Sequence, residues 1–367
     1  MRNVYLNVVS TCMSQTITRL ECWRYSLPLR EPLTIPNGAL ARREGLLICC
    51  VNDAGAIGIG EIAPLQGLHD ETFIEAEHNL LSALPLVLAN EHLSLTALSQ
   101  TLLPSVRCGV EMALQSLKFR INTAALPSAR VPLNALVSGT KDTILRRAVS
   151  AVQEGYTTLK IKVGRHSLED DIANVRAVRK EIGSAVRIRL DANRTWALET
   201  ALVLGRALSD CDIEYIEEPV RNPDDIEEFF RNTTIRVGLD EMLYAPDKQE
   251  RLRRFAIPDD ALAAYILKPS LIGGIHAATA LAEEAATRNL DAVVSSVFET
   301  GIALGFYAML QAQWNHHRLI PCGLDTFKFL AEDVLQTPFA AEQGFVSLPD
   351  VFLRQTELRY NALTRLA

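Results

Sequence analysis

Cysteine is scarce and unpatterned in this chain of 367 residues: Cys12, Cys22, Cys49, Cys50, Cys108, Cys211 and Cys322 form no Cys-x-x-Cys or Cys/His spacing. An odd number without such spacing argues against a disulfide framework or a zinc site and leaves reduced thiols, mostly in the core. Long apolar runs are missing too. Nowhere do 18 apolar residues stand together, so no membrane-spanning helix is expected. Basic blocks are absent as well: with 37 basic against 44 acidic residues and a net charge of −7, neither a nucleic-acid backbone nor a membrane surface is an expected partner. Residues 1–15 carry one Arg, no continuous apolar stretch and no small-residue cleavage site. They read as a leader without a secretory signal, and a disordered one if Met13 rather than Met1 is the natural start. The expectation is a cytoplasmic protein whose partner is a small molecule.

Hydrophobic residues make up 48% of the chain, enough to fill one large domain and a smaller one. Strand patterns at 18–25, 45–51 and 56–63 predict a small antiparallel sheet, the last two joined through Asn52-Asp53-Ala54-Gly55. Between the first two, residues 28–43 are rich in Pro, Gly and charge and read as a long functional loop, with a second loop at 64–70. A helix follows over 105–124, where Val106, Val110, Ala113, Leu114 and Leu117 make one apolar stripe. Residues 16–125 are therefore an α+β unit, and Pro127 and Pro132 bracket a linker.

Beyond it the rhythm becomes strand and helix in alternation. Strands are predicted at 131–138, 157–163, 186–193, 213–218, 236–241, 263–268 and 291–298, with helices such as 169–182, 199–208 and 275–288 between them. Repeats of this length match the βα unit of a TIM-type barrel, here a (β/α)7β barrel over 126–321 in an α/β protein. An open doubly wound sheet competes, but no Gly-x-Gly-x-x-Gly follows its first strand. Residues 322–367 lose the rhythm and are expected to return to the N-terminal unit.

In a barrel the chemistry sits at the C-terminal ends of the strands. Those ends carry Lys160 and Lys162, then Asp191, Glu217 and Glu218, Asp240 and Glu241, and Lys268. By the two-residue period of a strand, Lys162, Asp191, Glu217, Asp240 and Lys268 form a consistent inward set. Glu218 and Glu241 point away and serve as helix caps or supports. Taken singly, such a carboxylate is more often a helix cap or a solvated charge, and such a lysine more often a snorkelling one. The joint pattern on five successive strands favours a site. Three carboxylates without His or Cys are hard oxygen ligands suited to Mg²⁺, with Mn²⁺ able to replace it. A cation beside a basic lysine suits removal of a proton α to a carboxylate, because the enediolate puts charge where the metal already stands.

At Lys160-Ile161-Lys162, Leu190-Asp191-Ala192-Asn193, Glu217-Glu218-Pro219, Asp240-Glu241 and Ile266-Leu267-Lys268-Pro269 the sequence resembles the muconate-lactonising subgroup of the enolase superfamily. Gly60-Glu61-Ile62-Ala63-Pro64-Leu65, Pro104-Ser105-Val106, Ser295-Ser296-Val297-Phe298-Glu299 and Gly323-Leu324-Asp325-Thr326 extend the similarity towards the dehydratase branch of the menaquinone pathway. The resemblance implies a capping domain, made of the N-terminal unit and the C-terminal tail, over the barrel. It implies Asp191, Glu217 and Asp240 as Mg²⁺ ligands, Lys162 as the base that also returns its proton to the departing hydroxide, and Lys268 as the cation stabilising the enediolate. Lys160 would keep Lys162 deprotonated. Arg189, Asn193, Ser295 and Ser296 would position ligands or substrate, and Phe298 would form an apolar wall. A racemase or epimerase of N-acyl amino acids or dipeptides is the nearest alternative, since the same five residues serve it, although the Asp-x-Asp that dipeptide epimerases often carry after the seventh strand is lacking. A non-catalytic barrel scaffold is a more distant one.

Several features stay open at this level. The segments 28–43 and 64–70 are expected to close over the barrel mouth. Arg42 or Arg43 is either a substrate contact or a solvated charge. Gly273-Gly274 either presents amides to a second carboxylate or is a simple turn. His316 and His317 read as surface residues or as partners of a helix C-terminal dipole, and not as a metal site.

Overall fold

A computed structural model describes residues 16–35, 38–89, 101–121, 130–315 and 318–367. Strand β1 (Ile17–Ile35) pairs antiparallel with β2 (Gly38–Asn52), and β3 (Ile57–Ile62) returns along β2. Residues 28–43 are thus not a loop but the outer half of a hairpin, in which Pro28 pairs with Arg42, Leu33 with Leu40 and Ile35 with Gly38. Proline content misleads here for a physical reason. The register shifts between Pro28 and Leu33, so Pro32 falls in an irregularity where no ladder N–H is required of it.

Helices α1 (Phe73–Leu88) and α2 (Pro104–Ile121) cover this sheet. A capping box starts α1: Thr72 Oγ1 accepts the Glu75 amide and the Glu75 carboxylate accepts the Thr72 amide at 2.7 Å. The predicted stripe of α2 is buried with Ile48, Cys50 and Leu80, while Cys108 and Met112 on its other side belong to the barrel core. One helix therefore serves two cores. Its close approach to β3 depends on Gly60, where a Cβ would lie 1.8 Å from the Gly109 carbonyl oxygen.

The alternating part contains β4 (Arg130–Pro132), β5 (Ala135–Val137), α3 (Lys141–Gln153), β6 (Thr158–Lys162), α4 (Leu168–Ile182), β7 (Arg187–Asp191), α5 (Leu198–Ala207) and β8 (Ile213–Glu217). It continues through α6 (Ile226–Thr233), β9 (Val237–Leu239), α7 (Lys248–Leu252), β10 (Leu262–Leu267), α8 (Pro269–Ile272), α9 (Ile275–Thr287), β11 (Asp291–Val294) and α10 (Gly301–Trp314). Strands β5 to β11 lie side by side in chain order, all parallel. Cys322 bridges in parallel to Leu133 and Gly323 to Ser295, which joins the two edges into a ring. The single strand expected over 131–138 is split near Pro132, which has no N–H to give. Its first part, β4, pairs antiparallel with β12 (Phe345–Ser347). After α11 (Leu348–Arg354), β13 (Leu363–Arg365) adds to the edge of β1, returning the chain to the N-terminal sheet. Six cysteines are free and buried, and Cys12 lies outside the described residues, as do His316 and His317. Among the described residues no helix is long and apolar enough to cross a membrane.

The two units are joined by buried polar groups. Glu61 on β3 caps α10, accepting the amides of Thr300 at 2.9 Å and Ala303 at 3.1 Å and the Tyr25 hydroxyl. Arg43 is neither a substrate contact nor solvated: it is buried and donates to the carbonyls of Glu44, Pro64, Ala63, Val297 and Phe298. Arg42 bonds Ser26. Beside them, burial and then the charge of Glu61 push Glu299 up to about 7, against the pull of Arg43. A raised carboxyl keeps its proton in the fold after the unfolded chain has lost it. Its contribution to stability is therefore complete below about pH 4.5 and falls as pH rises to about 7. Urea unfolding is expected to show this decline in the wild type, on the order of 3 kcal/mol, and to show it reduced in Glu299→Gln.

Candidate active site

Register builds the site. Lys162 lies opposite Asp191 and Asp191 opposite Glu217, while Lys160 lies opposite Arg189. Asp240 and Lys268 each stand one residue past their strands, β9 and β10. Around the ring the order is lysine, three acids, lysine. One oxygen from each of Asp191, Glu217 and Asp240 lies within 4.8 Å of the others, and all three residues are buried. Lys160 Nζ donates to Asp191 at 2.8 Å and Glu217 at 2.5 Å, Lys162 Nζ to Asp191 at 2.6 Å, and Lys268 Nζ to Asp240 at 2.5 Å.

The two flanking lysines are shifted in opposite directions. Burial first, then the charges of Lys160 and Lys268, lower the Lys162 pKa against the attraction of Asp191. At Lys268 burial acts in the same direction, but Asp240 leads the carboxylates and Tyr244 in outweighing it, and the pKa is raised well above the ordinary value. Burial likewise opposes the charge on Lys160, and Asp191 with Glu217 overcomes it. Burial pushes Glu217 up to about 8 despite Lys160. For Asp191 the lysines win over burial and hold it well below the carboxylate range.

The acid group fits a small divalent cation. All its donors are carboxylate oxygens, and Asp240 Oδ1 is buried without a hydrogen-bond partner. Glu218, as expected, points away from the cavity. Its Oε1 accepts the amides of Asp240 at 2.7 Å and Met242 at 2.8 Å, and Arg194 pairs with the other oxygen, so it fixes the turn that carries Asp240. Glu241 departs from expectation: it lines the cavity and accepts from Asn193 Nδ2 at 2.8 Å. Alternation does not reach it, because β9 ends at Leu239 and Asp240 turns with φ −127° and ψ −84°. Asn193 Oδ1 in turn accepts from Lys162 Nζ at 2.9 Å.

A cavity of about 480 Å³ opens over these groups. Ser295, Ser296 and Phe298 line it, Ser296 Oγ lying 2.6 Å from Thr326 Oγ1 and Phe298 meeting Phe329 edge-on at 5.2 Å. Leu33 to Ile35 of the hairpin and Leu65 to Leu68 of the second loop form its cover. Two candidates are placed elsewhere. Arg189 shares the inward face but is fully buried below, pairing with Glu214 at 2.5 Å, donating to the Pro321 carbonyl at 2.7 Å and stacking over Tyr215. It ties the closing segment of the ring. Gly273 and Gly274 do not face the cavity, since the N-terminus of α9 meets Glu111 of α2, which accepts the His276 amide at 2.9 Å. Tyr244, whose hydroxyl lies 3.5 Å from Lys268 Nζ, had no motif to mark it.

Comparison with known proteins identifies the class. Residues 143–351 match the family model of the enolase C-terminal domain-like fold, and residues 17–117 match that of the MenC N-terminal domain. The chain belongs to the enolase superfamily. Among its relatives, o-succinylbenzoate synthase of Pectobacterium atrosepticum is 31% identical over 317 residues, covering 86% of this chain and 92% of that one. Protein PHYLLO, chloroplastic, of Arabidopsis thaliana is 28% identical over 95% of this chain, which spans only 24% of that protein's length. Solved structures with the same fold include a substrate-liganded L-Ala-D/L-Glu epimerase from Bacillus subtilis, with a TM-score of 0.79, 24% identity and coverage of 91% and 96% of the two chains. A dipeptide epimerase from Enterococcus faecalis, complexed with Mg and L-Leu-L-Tyr, has a TM-score of 0.77 at 21% identity, covering 91% and 99%.

Chelator-treated protein given millimolar Mg²⁺ is expected to melt a few degrees higher, and Asp240→Asn to lose most of that gain. An unchanged melting curve for the wild type would contradict a cation site at the three acids.

Proposed function

We propose that the chain catalyses the o-succinylbenzoate synthase reaction, the Mg²⁺-dependent loss of water from 2-succinyl-6-hydroxy-2,4-cyclohexadiene-1-carboxylate, in menaquinone biosynthesis. The observation that carries the reading is the placement of Lys162 and Lys268 on either side of three buried acids, with burial lowering the Lys162 pKa and the neighbouring carboxylates, Asp240 first, raising that of Lys268 against burial. Asp191, Glu217 and Asp240 would hold the Mg²⁺, which when bound neutralises charge that develops on the substrate carboxylate.

The chain's own residues then divide the work. Lys162 Nζ takes the proton from the carbon α to the carboxylate, and the electron pair moves into an enediolate. Lys268 stays charged and stabilises that enediolate from the opposite side, with Tyr244 and Asp240 fixing its ammonium group. The enediolate collapses, the C–O bond to the hydroxyl breaks, and the protonated Lys162 returns its proton to the leaving oxygen. Water departs and the ring becomes aromatic. Asn193 orients Lys162, and burial, then the charge of Lys160, keep the Lys162 pKa low. Phe298, Leu33 and Leu65 exclude water from the apolar ring.

The same lysines would also serve an N-acyl amino acid racemase or a dipeptide epimerase, the activity by which the Bacillus subtilis and Enterococcus faecalis proteins of this fold are named. Phe298, an apolar wall with no carboxylate for a substrate ammonium, stands against a dipeptide epimerase but not against a racemase of N-acyl amino acids, whose nitrogen is uncharged, so turnover separates the dehydratase from the racemase. Incubation with Mg²⁺ and the cyclohexadiene carboxylate is expected to give aromatic absorbance, slowed on the order of 10³-fold or more in Lys162→Ala. Wild type that gives no aromatic product, yet exchanges the α-proton of N-succinyl amino acids in D₂O, would replace the dehydratase with the racemase.

A further inference from the structure

Just past Lys162 the rim loop of β6 is pinned on either side of one residue. The Val163 amide donates to the Asp191 carbonyl at 3.0 Å, and the Gly164 amide to Asp171 Oδ2 at 2.6 Å. On the far side His166 Nε2 lies 2.8 Å from the Gly139 carbonyl oxygen. Gly164 turns with φ +75°, and a Cβ there would stand 2.9 Å from the Thr195 side chain. The residue so presented is Arg165, which lines the same cavity as Lys162, Asn193 and Lys268 and is exposed.

Charge accounting makes it unusual. Among the described residues lining the cavity, the cations are Arg147, Lys160, Lys162, Arg165 and Lys268. Lys160, Lys162 and Lys268 are paired with the acids at the base, and Arg147 pairs with Glu31 at 3.2 Å. Arg165 alone has no carboxylate, carbonyl or ring partner among the described residues. A guanidinium offers five N–H donors in a planar fork that matches a carboxylate. With the base of the cavity suited to one carboxylate, a free fork at its rim suits a second acidic group on the same ligand.

We propose that Arg165 binds the side-chain carboxylate of a dicarboxylic substrate, with the other carboxylate at the Asp191–Glu217–Asp240 end of the cavity. The proposal rests on the function given above, in which the succinyl arm supplies that remote carboxylate. Arg165 is a specificity residue and takes no part in proton transfer.

Calorimetric titration of Mg²⁺-loaded protein with o-succinylbenzoate and with its side-chain methyl ester separates the effects. Arg165→Ala is expected to weaken o-succinylbenzoate about tenfold and to leave the ester unchanged, with Arg165→Lys recovering part of the loss. In turnover the defect should fall on KM rather than kcat. Equal weakening of both ligands, no weakening of either, or no binding of o-succinylbenzoate to wild type would overturn the assignment. Wild type that discriminates acid from ester through Arg165 but makes no aromatic product would uphold it and refute the dehydratase reading alone.

Discussion

Three acidic side chains, Asp191, Glu217 and Asp240, are buried with one oxygen of each within 4.8 Å of the others, and the charges around them are arranged to hold them there. At an effective dielectric of about 20, two unit charges at that separation repel by about 3.5 kcal/mol. The fold answers with position rather than distance. The acids stand on three adjacent strands, lysines on the strands to either side supply the opposite charge, and Lys160 reaches the middle acid from below. Glu218 and Arg194 then stabilise the turn that presents Asp240, so that even the member beyond its strand end is fixed.

The N-terminal unit supplies no acid to this cluster and is nevertheless part of the site. Its hairpin and second loop cover the cavity, and it is locked to the barrel by Glu61 at the start of α10 and by Arg43, whose five carbonyl acceptors are shared between the two units. Two of those carbonyls belong to Val297 and Phe298, and Phe298 sits at φ +60°, a conformation that a bulky residue holds only when its surroundings impose it. The clamp between units therefore also aims the apolar wall of the cavity.

Much of this was legible in the sequence where regular periodicity applies. The alternation along 157–163, 186–193 and 213–218 places Lys162, Asp191 and Glu217 on one face, and the strand register sets them side by side. What alternation does not carry is depth. Arg189 shares the face of Asp191, yet two residues along a strand is about 7 Å, enough to place it at the barrel floor against Pro321. Nor does alternation continue past a strand end, which is why Glu241 turns into the cavity. The hairpin over 28–43 was hidden by prolines that sit at a shift in register, and Arg43 by long-range carbonyls that leave no local mark.

The most direct test is a crystal structure of the protein grown with Mg²⁺ and o-succinylbenzoate. One metal ion is expected, held by oxygens of Asp191, Glu217 and Asp240, with the ring carboxylate beside it and the aromatic ring between Lys162 and Lys268. A metal ion elsewhere, or a ring lying outside the space between those two lysines, would contradict that arrangement.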